Sequence, residues 1–235
     1  MIVQSASLPD CANQIDSCLY HYGYGLPDIN KATINSPNRV TLYATGNITP
    51  KNTNLYRVKI PSEISRPGNE YNIKIEITLS YKAEPRITRK GTRSYLSAWL
   101  DWEASKPGEN LDIFKDRILS QDEDEENAEM PEQDAVVPPD NENFKWVISS
   151  RSNSGEFNSI RRQDGTLQKD WCIIPSNKMP TDFVLAVKGH NGWQRDISKE
   201  IPYSVVVSFE VIDNSEVDIY NLIEVENRIE IEIEH

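Results

Sequence analysis

A strict alternation of apolar and polar residues over 71–81 is the feature that most constrains the fold. The apolar members are Tyr71, Ile73, Ile75, Ile77, Leu79 and Tyr81, and the polar members are Asn72, Lys74, Glu76, Thr78 and Ser80. A period of two sends successive side chains to opposite faces of a β-strand. The stretch therefore predicts a strand with one face on a core and the other in water.

The same period returns along most of the chain after Pro37. It predicts about nine strands, with a hairpin-type loop at 189–192. Their apolar members lie at Val40–Ala44, Tyr56–Ile60, Tyr71–Tyr81, Leu96–Trp102, Phe144–Ile148, Trp171–Ile173, Phe183–Val187, Tyr203–Val211 and Ile229–Ile233. Amphipathic helix patterns are almost absent. We therefore expect a mainly β fold, an antiparallel β-sandwich of jelly-roll type with a short N-terminal helical segment.

The net charge of −12 is concentrated in one part of the chain. Ten Asp or Glu residues and no Lys or Arg lie between Arg117 and Lys145. This composition cannot build a core, so an acidic, mobile loop is expected at 118–143, after a helical turn or two over Asp112 to Leu119. The sequence has no basic patch, so nucleic acid is not expected as a partner. No apolar run reaches the roughly 20 residues of a membrane span, so no membrane is expected either.

The residues before the first strand predict a turn and a short helix. Gly23 and Gly25 supply the backbone freedom of a tight turn. Pro27 suits the first position of a helix, and Asp28 places negative charge near its N-terminus. The segment Asn35-Ser36-Pro37 then ends the helix.

These residues also carry a resemblance. The pattern Gly23-x-Gly25-x-Pro27-Asp28-x-x-x-Ala32 resembles the closing helix of the catalytic domain in subtilisin-like serine peptidases (subtilases). The segment from Ile2 to Pro9 resembles the part of those enzymes that follows the helix bearing the nucleophilic serine. The resemblance implies that residues 1–36 are the tail end of a subtilase-like catalytic domain and that 37–235 form the sandwich. Residues 1–36 are then expected to be mobile or to pack in a non-native way, dimerisation included.

Later stretches agree with this resemblance. Residues 182–187, the pair Gly192-Trp193 and residues 202–207 are similar to the closing strands of jelly-roll domains that follow many subtilase catalytic domains. The parent protein would then hydrolyse peptide bonds with an Asp/His/Ser triad lying upstream. The sandwich would stabilise its catalytic domain, which is its expected partner, or govern substrate access. The chain also resembles the tails of bacterial subtilases that partner AAA-type ATPases, which implies a cytoplasmic site.

No catalytic centre is expected in the chain itself. A Ser-His-Asp triad needs a histidine between a hydroxyl and a carboxylate, and the chain has three histidines. His21 lies in the turn region, His190 lies between glycines and His235 is terminal. We interpret each as a surface or turn residue. No Gly-x-Ser-x-Gly or Gly-Thr-Ser segment of subtilase type occurs.

No cofactor or metal site is expected. Asp122, Glu123, Asp124, Glu125 and Glu126 offer oxygen ligands for calcium, but contiguous like charges usually only solvate a chain. Cys11, Cys18 and Cys172 are too few for a disulfide scaffold or a zinc site, so we interpret all three as buried or free thiols.

An alternative function is a stand-alone carbohydrate- or protein-binding module. Tyr95 and Trp99 fall on the strand face opposite Leu96, Ala98 and Leu100. If that face is exposed, their rings form a platform for a sugar. This alternative predicts glycan binding that is lost on Trp99→Ala.

Overall fold

The computed structural model describes residues 1–9, 15–66, 70–86, 95–127, 144–148, 165–194, 196–213 and 217–226. Seven strands lie within these ranges: β1 Arg39–Ile48, β2 Thr53–Lys59, β3 Asn72–Tyr81, β4 Ala98–Ala104, β5 Leu167–Pro175, β6 Asp182–Asn191 and β7 Ile201–Val211. The helices are α1 Ile2–Ser5, α2 Ile15–Tyr22, α3 Ile29–Thr33, α4 Leu111–Asn127 and α5 Ile219–Glu226. Short 3-10 turns occupy Ser62–Ser65 and Ser176–Lys178.

The strands form two antiparallel sheets. One has the order β1-β7-β3-β5 and the other β2-β6-β4. Each successive strand along the chain belongs to the other sheet, and the first and last strands are hydrogen-bonded neighbours. This is the order of a jelly roll, and the expected antiparallel β-sandwich is confirmed.

The core lies between the sheets and is built by the inward set of each alternating strand. Ile73, Ile75, Ile77 and Leu79 are all fully buried. Phe209 of β7 meets Phe183 of β6 edge to face, with 5.4 Å between ring centroids. Burying a side chain of this size contributes about 1.5–3 kcal/mol, so the period-two pattern is also the energetic basis of the fold.

Two strand-level predictions are wrong. Residues 144–148 alternate but form a turn, because Phe144 and Trp146 fill one end of the core against Phe183 and Trp102. The stretch at 189–192 is not a hairpin loop. β6 continues to Asn191 and pairs with β2 and β4, whereas β7 pairs with β1 and β3 in the other sheet. The predicted strand at Ile229–Ile233 lies outside the described residues.

The helix α4 is longer than the one or two turns that the sequence predicts. Asn110 caps it by accepting a hydrogen bond from the Ile113 N–H, and Phe114 and Ile118 bury its apolar side on Val184 and Ala186 of β6. The expected loop at 118–143 is thus wrong up to Asn127, and residues 128–143 lie outside the described ranges.

The sequence reading missed α5. Its Ile219 and Ile223, four residues apart, are fully buried against the core of the sandwich. Of the helices in the described ranges, none has both the length and the apolar composition needed to cross a bilayer.

Candidate interaction site on the outer face of the four-stranded sheet

The middle of the outward side of β3 does not face water, which corrects the expectation from its alternation for Glu76 and Thr78. Glu76 is 3% exposed and Thr78 is 4% exposed. They lie beside outward residues of the neighbouring strands, since Glu76 pairs with Ser208 and Trp171, and Thr78 pairs with Lys169. The N-terminal helix α1 contacts this face. A layer of buried polar side chains therefore lies between the sheet and the start of the chain.

Two side chains make the direct contacts between α1 and the sheet. Gln4 Nε2 donates to the Glu76 main-chain oxygen at 3.0 Å and to Ser208 Oγ at 2.8 Å. Lys169 Nζ donates to the carbonyl oxygens of Val3, Gln4 and Ala6 at 3.0, 3.1 and 2.6 Å. The last carbonyls of a helix lack intrahelical donors, and the Lys169 ammonium supplies one.

Lys169 and Glu76 also act on each other. Their Nζ and Oε1 atoms lie 3.5 Å apart, and Lys74 Nζ lies 2.7 Å from the same carboxylate oxygen. Burial opposes the ionisation of Glu76 most strongly, but Lys74, Lys169 and Arg39 outweigh it, so the pKa of Glu76 is lowered. For Lys169, burial is the largest effect and lowers the pKa, while the negative charge of Glu76 acts in the opposite direction.

A second anchor holds the short helix α3 to the same sheet. Lys31 Nζ pairs with Glu210 Oε1 of β7 at 2.7 Å. Arg39 of β1, whose side chain is 3% exposed, donates from Nη1 to the Lys31 carbonyl oxygen at 2.7 Å. Its Nη2 donates to Ser208 Oγ at 3.1 Å. Ser208 therefore receives hydrogen bonds from both anchors.

The glycine turn at 23–25 leads from α2 to α3, and a main-chain bridge ties it to the residues that follow α1. Ser7 and Leu26 exchange a pair of main-chain hydrogen bonds of 3.0 Å each. Gly25 has φ +94, and a Cβ there would lie 2.1 Å from the Ser7 carbonyl oxygen. Asp28 is the N-cap of α3 and accepts from the Asn30 and Lys31 N–H groups, so the helix begins two residues after Pro27. Only glycine at position 25 permits the close approach to the Ser7 carbonyl oxygen.

The described part of residues 1–36 has an attached side and an exposed side, which bears on the expectation that this segment is mobile or packed in a non-native way. Residues 1–9 and 15–36 are described, and their polar side is fixed to the sheet by the contacts above. Their apolar side is bare. The exposed large apolar residues of this segment are Met1, Ile2, Tyr20, Tyr22, Leu26, Ile29 and Ile34, with exposures from 48% to 87%.

The histidines lie in two different settings. His21 is exposed in the last turn of α2, with edge contacts to Tyr20 and Tyr22. His190 Nε2 lies 2.9 Å from Asp101 Oδ1, and its ring stacks on Trp99 with 3.8 Å between centroids. His235 lies outside the described residues.

The carbohydrate platform is only partly present. Leu96, Ala98 and Leu100 point into the core as predicted, and Trp99 points outward. However, His190 covers one face of the Trp99 ring, while Tyr95 is 40% exposed. An open groove of about 570 Å³ lies at one end of the other sheet, lined by Thr45, Gly46, Asn47, Ser80, Tyr81, Lys82, Pro202, Tyr203 and Ser204.

The cysteine interpretation is correct for one residue and wrong for another. Cys172 is a fully buried free thiol, and burial raises its pKa. Cys18 is disulfide-bonded, so it is not a free thiol. The spacing of seven residues between Cys11 and Cys18 does not indicate from the sequence whether cysteines form a disulfide or remain free thiols. Cys11 lies outside the described residues.

No group of three or more His, Cys, Asp or Glu side chains suited to a metal ion occurs in the part of the chain that the structure describes. The acidic run from Asp122 to Glu126 belongs to the C-terminal part of α4. Its side chains lie outside the description, so the expectation that this run does not bind calcium stays a prediction.

Sequence reasoning missed Gln4, Lys169, Arg39 and Ser208, because alternation gives the direction of a side chain and not what covers it. One signal was present in β7. Three consecutive outward positions, Ser204, Val206 and Ser208, carry small, uncharged side chains, which is typical of a covered face, although Glu210 on the same face is charged.

The glycine turn gives a prediction. Gly25→Ala should separate Ser7 from Leu26, because the added methyl group meets main-chain atoms that cannot rotate away. The amide signals of Ser7 and Leu26 should move in two-dimensional NMR spectra. Gly23→Ala is the matched control, since Gly23 also has positive φ but no atom within 4 Å of its Cβ site. Equal spectral changes in both variants would contradict this role of Gly25.

Glu76 gives a prediction about pH. Its pKa is lowered in the folded chain, so its stabilising contribution is present above the ordinary value of 4.5 and is lost as the pH falls through the depressed value. Glu76→Gln should lower the free energy of unfolding at pH 7 by about 3 kcal/mol, because Lys169 stays buried without its carboxylate. The difference from the unmodified chain should shrink below pH 4.5 in denaturant titrations.

Glu84→Gln is the control, since Glu84 pairs with Lys199 on the exposed surface. A difference for Glu76→Gln that is constant from pH 7 to the acid range would show that its charge does not stabilise the fold.

Comparison with known proteins adds one relative. No family model matches the chain. The chain is 23% identical over 226 residues to the uncharacterized protein y4bN of Sinorhizobium fredii. The match covers 94% of this chain and 47% of that protein, so the chain spans about half the length of the curated relative that it matches.

Proposed function

We propose that this chain is the non-catalytic C-terminal region of a subtilisin-like serine endopeptidase. In this proposal residues 1–36 complete the catalytic domain, which carries the whole triad on their N-terminal side. The sandwich of residues 37–235 stabilises that domain or governs access of substrate to it. The turn and helix motif from Gly23 to Ala32 and the jelly-roll order of the strands both support the proposal.

The observation that carries the proposal is the two-sided character of the N-terminal segment. Its polar side is bound to the sandwich through Lys169, Gln4 and Glu210, whereas Ile2, Leu26 and Ile29 on it are 69–79% exposed. Soluble domains rarely leave such clusters of apolar side chains in water. A segment that belongs to two domains at once has this distribution, with each side facing one of them.

The length of the relative is consistent with a further domain. The matching region fills 47% of y4bN, which leaves room in that protein for a domain of similar size. We extend the proposal to an AAA-type ATPase as a partner and to the cytoplasm as the site of action. Both follow from the resemblance to bacterial subtilases and belong to the same hypothesis.

The carbohydrate-binding alternative has less support. Trp99 has one ring face occupied by His190, and the polar groove belongs to the opposite sheet. A sugar platform needs an aromatic face and polar groups side by side, which these two features do not combine.

The proposal predicts assembly with the missing domain. The polypeptide encoded in frame before Met1 should be produced separately and mixed with this chain. The two should co-elute in size-exclusion chromatography, and peptide hydrolysis should require the first polypeptide. Ile29→Ser should weaken the complex about tenfold or more, because it removes an apolar side chain of about 2 kcal/mol from the interface.

Ile113→Ser is the matched control. Ile113 is 56% exposed on α4, which covers the other sheet, so this variant should assemble as the unmodified chain does. Absence of any complex, or equal weakening by both substitutions, would contradict the proposal.

A further inference from the structure

We propose that the outer face of the four-stranded sheet is a latch for residues 1–9, in which Lys169 is the positioning residue that decides whether the segment stays attached. The inference concerns attachment within this chain. It stands whether or not the proposed function is correct.

The first argument is the charge balance of the sheet face. Three cationic side chains of the strands, Lys74, Lys169 and Arg39, share two carboxylates, Glu76 and Glu210. Among the described residues, one positive charge of these strands is thus left over when each carboxylate is matched with one cation, in a layer that is largely buried. Such a charge is costly unless polar atoms solvate it. The sheet alone does not balance its own cations.

The N-terminal segment supplies the missing polar atoms. Lys169, whose side chain is 2% exposed, donates to three carbonyl oxygens of residues 3–6, and Arg39 donates to the Lys31 carbonyl oxygen. Hydrogen bonds from charged donors are stronger than those between neutral groups. Detaching the segment therefore exchanges three carbonyl acceptors of the Lys169 ammonium for water, and the net advantage of the carbonyls is what holds the segment in place.

Apolar burial does not explain the attachment. Within α1 the fully buried residues are Gln4 and Ser5, while Ile2 is 69% exposed. Ala6 is the one buried apolar residue among residues 1–9. A segment held by a hydrophobic plug would show the reverse pattern. Polar contacts therefore hold the segment. A substitution that removes one donor group removes the hydrogen bonds that this group makes.

The latch also sets a position. The carbonyl oxygens that Lys169 contacts come from a single turn of chain, so one ammonium group fixes both the place and the direction of the segment. The Ser7–Leu26 hydrogen bonds carry this placement on to the glycine turn and to Ile29. Release at Lys169 would let the segment, with its exposed apolar side, move relative to the sandwich.

The test is hydrogen exchange on the full chain carrying Lys169→Met, which keeps the length and apolar stem of the side chain. Amides of residues 1–9 should exchange at least about tenfold faster than in the unmodified chain. Amides of β3 and β7 should keep their protection within about twofold, which separates release of the segment from unfolding of the sandwich.

Lys74→Met is the matched control. Lys74 pairs with Glu76 and lies over Trp171, so its substitution removes the same charge from the same sheet face and keeps the hydrogen bonds of Lys169 to the segment. Unchanged exchange of residues 1–9 in Lys169→Met, or an equal increase in Lys74→Met, would overturn the proposal.

Gln4→Leu keeps the proposal falsifiable if Lys169→Met fails to fold. Gln4 belongs to the segment and not to a strand, and its loss removes the hydrogen bonds to Glu76 and Ser208. It should also speed exchange of residues 1–9 while β3 and β7 stay protected. Protection of residues 1–9 as in the unmodified chain would overturn the latch.

Discussion

The contact between the Lys169 ammonium and the carbonyl oxygens of residues 3–6 is the constraint on which the account depends. A buried ammonium is costly by itself, because leaving water opposes its charge. It becomes favourable here because Glu76 supplies the opposite charge and the helix end supplies acceptors. The sheet face and residues 3–6 thus stabilise each other, which fixes the start of the chain to the sandwich.

The two sheets of the sandwich are covered in different ways. Over the three-stranded sheet, α4 packs through Phe114 and Ile118, so that cover depends on apolar area. Arg117 of α4 also forms ion pairs with Glu103 of β4 and with Glu109, which precedes the helix. Over the four-stranded sheet the cover is polar and depends on directed hydrogen bonds. Apolar contacts tolerate sliding, whereas directed hydrogen bonds fix a position, and a fixed position would suit the proposed contact of this segment with a second domain.

The strands were largely predictable from the sequence, and the covering elements were not. Alternation over Asn72–Tyr81 and Ile201–Val211 reports directly on side-chain direction, so the sandwich followed from it. The alternation at 144–148 led to a wrong strand prediction, because aromatic side chains can fill the core from a segment that does not pair with a strand. The helix α5 was missed because its buried residues lie in a segment of only eight residues. Lys169 was missed because a lysine in a strand reads as solvated until the neighbour that buries it is known.

The central claim is that this chain accompanies a catalytic centre and does not contain one. The most direct measurement is covalent labelling with a fluorophosphonate probe, followed by mass spectrometry, on this chain and on the longer product that the proposal requires. The account predicts a labelled serine before the residue equivalent to Ile2 in the longer product, and no labelled serine in the present chain. A label on a serine within residues 1–235 would contradict it.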